Sequence, residues 1–293
     1  MLFKGVFTAL ITPFREGKID EDAFCKLIEW QVEEGVHGLV PCGTTGEVSS
    51  LTFEEYSRLA KLCIDVTNRR VPIIVGVGSN NLVETIKRAQ YLESINADAI
   101  LVVTPYYLKP TQKGIYEYFK IIHDNTNISI IIYNVPSRCA VDISDDNLAR
   151  IILLPRVVGI KDATSNLNRP MNIKLLVKKE ISLLSGEDTT ALIFNIHGGC
   201  GCVSVTANVA PKLCSKMQNL FFEEKFKEAM EINNILFPLN QILFCETNPI
   251  SVKYALSLLK PYISLELRLP LTSASKSTQV AVEQVVIEKQ LLA

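Results

Sequence analysis

Several things that would announce a function are missing from this chain. No apolar run approaches the ~18 residues of a membrane-crossing helix. The opening MLFKGVFTALITPF carries its early charge inside the apolar stretch and ends on Thr-Pro, which does not fit a secretory signal. Charge of one sign is missing too: 30 basic and 31 acidic side chains leave a formal charge of -1. No basic stripe invites a nucleic-acid backbone or an anionic membrane, so neither is expected as a partner. The eight cysteines include no C-x-x-C pair, and a chain of this length needs no disulfide staples. They fit small buried hydrophobes in a reducing, cytoplasmic setting. Cys200-Gly201-Cys202 could grip a metal only with a second ligand pair, which is missing. Nucleotide loops are missing as well. Gly43-Thr44-Thr45-Gly46 lacks the Gly-Lys-Ser/Thr ending of a phosphate loop, and Gly76-Val77-Gly78 lacks the third glycine of a dinucleotide fingerprint. No metal and no cofactor is expected.

What is present is a repeat of apolar, β-branched runs. Eight occur, at 5–12, 37–43, 71–78, 97–104, 128–134, 157–162, 181–186 and 201–206. Their hydrophobicity is continuous, as a parallel strand covered on both faces requires. Amphipathic segments lie between them. Thr52-Phe53-Glu54-Glu55 reads as a capping box, and Asp20, Thr111 and Ser144 as helix caps. Eight βα units in a row predict an α/β protein of the (β/α)8 TIM-barrel class rather than an open doubly wound sheet. From about residue 210 the strand pattern stops, and Pro238, Pro249, Pro261 and Pro270 read as punctuation between helices. The expected organisation is a barrel over 1–220 with a C-terminal helical appendage over 221–293.

In such a barrel the chemistry belongs at the C-terminal ends of the strands. Lys161 closes the run VVGIK. Desolvation there works against its charge and favours the neutral amine that a Schiff-base nucleophile must be. The plainer reading is a lysine that snorkels to a rim carboxylate such as Asp162. Tyr133 and Tyr107 follow neighbouring strands and Thr44 follows the second, so their hydroxyls could relay protons without histidine. The plainer reading of such tyrosines is an apolar body with a wet tip. None of His37, His123 and His197 falls at these ends. Gly43-Thr44-Thr45-Gly46 offers N–H groups and hydroxyls as a nest for a carboxylate or phosphate. Arg138, in a turn stiffened by Pro136, could fork onto a second carboxylate, or simply pair with Asp142 or Asp145 at the rim.

Taken together, Gly43-Thr44-Thr45-Gly46-Glu47, Thr104-Pro105-Tyr106-Tyr107, Tyr133-Asn134-Val135-Pro136-Ser137-Arg138, Gly159-Ile160-Lys161-Asp162-Ala163-Thr164 and Ser204-Val205-Thr206-Ala207-Asn208 resemble the dihydrodipicolinate synthase family. The likeness runs over nearly the whole chain and extends to Asn248-Pro249-Ile250 and Lys253. It implies a lyase of lysine and diaminopimelate biosynthesis that condenses pyruvate with aspartate semialdehyde. In this reading Lys161 forms the imine, and Tyr133, Thr44 and Tyr107 move protons, with Tyr107 reaching in from a neighbouring subunit of a homotetramer. Thr45 holds the pyruvate carboxylate and Arg138 that of the semialdehyde. Gly186 and Val203 line the pyruvate pocket.

Two departures from the family pattern stand out. Cys139-Ala140 follows Arg138 where Thr-Gly is usual. Some relatives have a lysine-feedback site, and its aligned positions include Val48, Ser49, Asn80, Glu84 and Tyr106, but Phe53 and Tyr56 replace its expected histidines. Arg138 favours this family member over a sibling aldolase acting on a sugar acid such as N-acetylneuraminate. A non-catalytic barrel sensing a keto acid or lysine would keep the anion nest and could dispense with Lys161 or Tyr133.

Overall fold

The computed structural model describes residues 3–289. The outer limits of the two expected regions, 1–2 and 290–293, lie outside the described residues. The described residues form two compact units, one of residues 3–4 and 72–203, the other of residues 5–71 and 204–289.

The first unit holds the strands Ile74–Gly76, Ala99–Val103, Ser129–Asn134, Val157–Asp162 and Ser182–Ser185. Each pairs in parallel with the next, and Ser182–Ser185 pairs with Gly201–Ser204, a strand whose last residue begins the second unit. Ile130, Ile131, Ile132, Val157 and Ile160 are fully buried. That is the two-sided burial that continuous apolar runs predict. Gln112–Asp124 and Asp145–Ile152 are amphipathic helices, capped by Thr111 and Ser144 as expected. The strands are shorter than the apolar runs by one to three residues at most ends. Those extra residues leave the ladder to make turns, as in the 3-10 turn Thr206–Asn208.

The second unit pairs Gly5–Ala9 with Gly38–Val40. Its helices include Glu21–Glu33, capped by Asp20, and Phe53–Thr67, which opens on the predicted capping box of Thr52 and Glu55. Asn208 fastens the outgoing end of Gly5–Ala9: its amide donates to Ala9 O at 2.7 Å and accepts from Ile11 N at 3.1 Å. Pro211–Phe222, Phe226–Ile242, Ile250–Leu259 and Lys276–Glu288 form the helical C-terminal region. One expectation is corrected here. Pro238 does not punctuate; it lies inside Phe226–Ile242. The carbonyl it deprives of a donor belongs to the turn at Asn234, which is exposed, so water can serve it.

The entry to the Val157–Asp162 strand is pinned by Lys179. Its ammonium lies 2.9, 2.8, 3.2 and 2.7 Å from Ile152 O, Leu154 O, Pro155 O and Val157 O, four carbonyls that share its three hydrogens. These carbonyls end the preceding helix and start the strand, where a cation suits the helix dipole. Lys179→Met should destabilise the protein by about 2 kcal/mol, since hydrogen bonds to a charged group are lost and the carbonyls keep no equivalent donor. A urea titration should show a lower midpoint with an unchanged slope.

Candidate active site

Past a register shift between Ile130 and Ile131, the strands Ser129–Asn134 and Val157–Asp162 pair with Tyr133 opposite Lys161 and Asn134 opposite Asp162. Alternation along a strand sends neighbours to opposite faces, so the pairs separate into two layers. On one face Lys161 Nζ lies 4.1 Å from the centre of the Tyr133 ring, and both residues are more than nine-tenths buried. On the other face Asp162 accepts from Thr164 N at 3.1 Å and Thr164 Oγ1 at 2.5 Å, and from Asn134 Nδ2 at 3.4 Å. Burial pushes the Asp162 carboxyl up against the pull of Thr164, Arg169 and Asn134. Lys161 makes no ion pair with Asp162; the cation facing that carboxylate is Arg169, with its Nε at 3.5 Å. Of the two readings of Lys161, the pairing with Asp162 is not made, and the opposite charge it acts on is that of Glu187.

Arg138 sits in a single helical turn, Pro136–Cys139. The turn closes through Arg138 N and Cys139 N, which both donate to Val135 O at 3.0 Å. Its side chain is exposed and forms no salt bridge among the described residues. Asp142 and Asp145, the carboxylates it could have paired with, are both held by Arg169. The two departures after Arg138 are accommodated. Cys139 is buried and donates its thiol to Thr104 O at 3.1 Å. Ala140 takes the left-handed conformation, φ 56°, that glycine adopts more easily, and its N–H donates to Pro136 O at 2.8 Å.

Gly186 N donates to Asp162 O at 2.6 Å. A Cβ there would come within 2.7 Å of the Ala163 side chain and 3.1 Å of Asp162 O, so only glycine lets the chain pass this close. Burial also pushes the Glu187 carboxyl up, reinforced by Asp188 and opposed by the charges of Lys161 and Arg138. Val203 is buried in Gly201–Ser204. Tyr107 is not drawn into this cluster; it is 87% exposed at φ 71°. Asn80, Glu84 and Tyr106 are partly buried in the same unit. Ser49 is exposed in the 3-10 turn Val48–Ser50 of the second unit.

Thr44 and Thr45 belong to the second unit, in a loop that folds on its own carbonyls. Gly43 O accepts from Gly46 N and Val48 N, Thr44 O from Glu47 N, and Gly46 O from Thr12 Oγ1. Asn248 Nδ2 donates to Thr45 Oγ1 at 2.9 Å, which leaves the Thr45 hydroxyl hydrogen free to donate. Among the described residues the N–H groups of Thr44 and Thr45 have no acceptor. The loop thus presents donors, which is what an anion needs.

The dihydrodipicolinate synthetase family pattern matches residues 2–289. The chain belongs to this family. It is 53% identical over 290 residues to the 4-hydroxy-tetrahydrodipicolinate synthase of Ehrlichia canis, covering 98% of each chain. Dihydrodipicolinate synthase from Thermotoga maritima superimposes with a TM-score of 0.96 at 38% identity, covering all of both chains. A solved protein described as the first monomeric dihydrodipicolinate synthase variant gives a TM-score of 0.96 at 38% identity over 99% of this chain and 98% of that one. The (β/α)8 barrel expected from the sequence is the fold of this family member.

Two features of this dihydrodipicolinate synthetase family member escaped sequence reasoning. One is Arg169. The other is the buried pair of Glu47 and Lys253, 2.6 Å apart and hidden from solvent. Lys253 also donates to Glu266 O at 2.7 Å and lies 4.5 Å from the Phe14 ring centre. Glu47 takes Arg268 N at 3.0 Å. Burial pushes the Lys253 amine down while Glu47 holds it up. Glu47, at φ 53°, ends the Thr44–Thr45 loop, so the pair anchors the loop from below. Lys253→Met should destabilise by about 3–5 kcal/mol, because it strands a buried carboxylate; adding Glu47→Gln should recover much of the loss. Chemical denaturation of both variants measures this coupling, and a double variant less stable than the single one would contradict it.

Proposed function

We propose that the chain condenses pyruvate with aspartate semialdehyde through an imine on Lys161, giving 4-hydroxy-tetrahydrodipicolinate in lysine and diaminopimelate biosynthesis. The observation that carries this reading is the buried Lys161 amine over the Tyr133 ring at the end of paired strands. The Lys161 nitrogen attacks the ketone of pyruvate, and the carbinolamine oxygen leaves as water once protonated. The imine loses a methyl proton to become an enamine, whose carbon adds to the aldehyde. Ring closure by the semialdehyde's amine then displaces Lys161. Tyr133, Thr44 and Tyr107 carry the protons, Thr45 holds the pyruvate carboxylate, Gly186 and Val203 line its pocket, and Arg138 takes the second carboxylate. Splitting carbon–carbon bond formation into imine and enamine steps is covalent catalysis by an amine, and none of these steps asks for a metal or a nucleotide.

The exposure of the Tyr107 phenol supports its use in a neighbouring subunit, within a homotetramer in the cytoplasm. A monomeric variant is known among the solved relatives, so assembly is a property of each member and is proposed here for this one. Lysine feedback through Ser49, Asn80, Glu84 and Tyr106 belongs to the same reading. So does the division into a catalytic barrel over 1–220 and helices over 221–293.

Borohydride reduction in the presence of pyruvate should fix one pyruvyl group on Lys161, found by peptide mapping. A label on Lys109 or Lys253, or none, would reject the mechanism.

Arg138→Ala should leave that trapping intact and lower kcat/KM for aspartate semialdehyde by roughly 30-fold to several thousand-fold. This is the scale of losing a hydrogen-bonded charge partner, ~2–5 kcal/mol. A loss of no more than about fivefold, the scale of a surface ion pair, would remove Arg138 as the carboxylate clamp and return the sugar-acid alternative to contention.

A further inference from the structure

Arg169 is the first residue of the helix Arg169–Leu176 and is 3% exposed. A helix start disfavours a cation, and a buried guanidinium is costly unless its donors are met. This one is committed to three carboxylates from two separate segments. Its Nη2 forks onto Asp142 Oδ1 and Oδ2 at 2.9 Å each. Its Nη1 donates to Asp145 and, at 2.9 Å, to Ile143 O. Its Nε faces Asp162 Oδ2 at 3.5 Å, a charge contact without a hydrogen bond. Asp162 is the residue after Lys161, and Asp142 to Asp145 follow the Arg138 turn with only Val141 between Ala140 and Asp142. Asn134 completes the link: its amide donates to Asp142 Oδ1 at 2.7 Å and accepts from Ile143 N at 3.3 Å.

Among the described residues Arg169 is the only cation paired with Asp142, Asp145 or Asp162. We infer that Arg169 is a positioning residue for the proposed reaction: it fixes the Arg138 turn relative to the end of the Lys161 strand, and so sets where the second carboxylate is gripped. The inference rests on the roles proposed above for Lys161 and Arg138. The two ends are not equally dependent on it. Lys161 is held by ladders on both sides, to Tyr133 and to Leu184. The turn has its own helical hydrogen bonds at the start, but beyond Ala140 it is held by side chains from elsewhere: Arg169 through Asp142, Ile143 and Asp145, Asn134 through Asp142 and Ile143, and Gln112 through Asp142 O and Ser144, with Arg169 the one that carries charge. Loss of the fork should therefore fall on the second substrate and spare the first.

Arg169→Lys keeps a cation in place and loses the planar fork. It should raise KM for aspartate semialdehyde about tenfold or more, within the range of coupling seen between members of one network. The rate of borohydride trapping with pyruvate should stay within about twofold of the parent protein. The decisive measurement is the double variant with Arg138→Ala: its KM should be no worse than that of Arg138→Ala alone, because a residue acting through Arg138 has nothing left to position. If Arg169→Lys fails to fold, Asp142→Asn, which weakens the same fork on the turn side, should show the same pattern more mildly. An unchanged KM, an equal loss in trapping and condensation, or additivity with Arg138→Ala would each overturn the inference. So would an Arg138→Ala variant with normal KM, since Arg169 could not then act through it. Failure of pyruvate to trap at Lys161 in the unaltered protein would instead bring down the proposed function itself.

Discussion

The parallel ladder between Ser129–Asn134 and Val157–Asp162 is the constraint from which the first unit's chemistry follows. Its register places Tyr133 opposite Lys161 and Asn134 opposite Asp162. Because side chains alternate across a strand, one register fixes two layers at once. The amine and the phenol share a secluded face, and the carboxylate and the amide share the other. A slip of one residue would exchange the faces and put Asp162 where the amine belongs. The long run of buried isoleucines along these strands makes such a slip costly, so packing and chemistry depend on the same alignment.

The second unit solves a different problem. Its Thr44–Thr45 loop leaves backbone donors open, a cost that hydrogen bonds elsewhere in the loop offset. The carbonyls of Gly43, Thr44 and Gly46 all accept hydrogen bonds from nearby groups, and Glu47 closes the loop onto the buried ammonium of Lys253. An ion pair so far from water is a risky anchor, since each partner is expensive without the other. It gives in return a fixed end to the loop.

Much of this was legible in the sequence, for physical reasons that are local. Continuous β-branched runs marked the strands, and Thr52 with Glu55 marked a helix start that the structure reproduces. The residues at strand ends needed only the order of the chain to be found. Arg169 and the Glu47–Lys253 pair were different. Glu47 and Lys253 are some two hundred positions apart, and Arg169 reads like any exposed helix-starting arginine. Charges look solvated until the fold brings their partners to them, and no periodicity records that. Pro238 misled for the opposite reason: its local rule is strong, yet tertiary packing carries the helix through it.

The hydrogen bond from Asn248 to Thr45 has a consequence for discrimination among small molecules. A threonine hydroxyl is ordinarily ambivalent, able to greet an amine or an acid. Because the Asn248 amide supplies a hydrogen to that oxygen, the hydroxyl keeps its own hydrogen to give, and the loop offers an acid one more donor than its backbone alone could. The leaning of this loop toward acids is thus set by an amide that lies some two hundred positions further along the sequence.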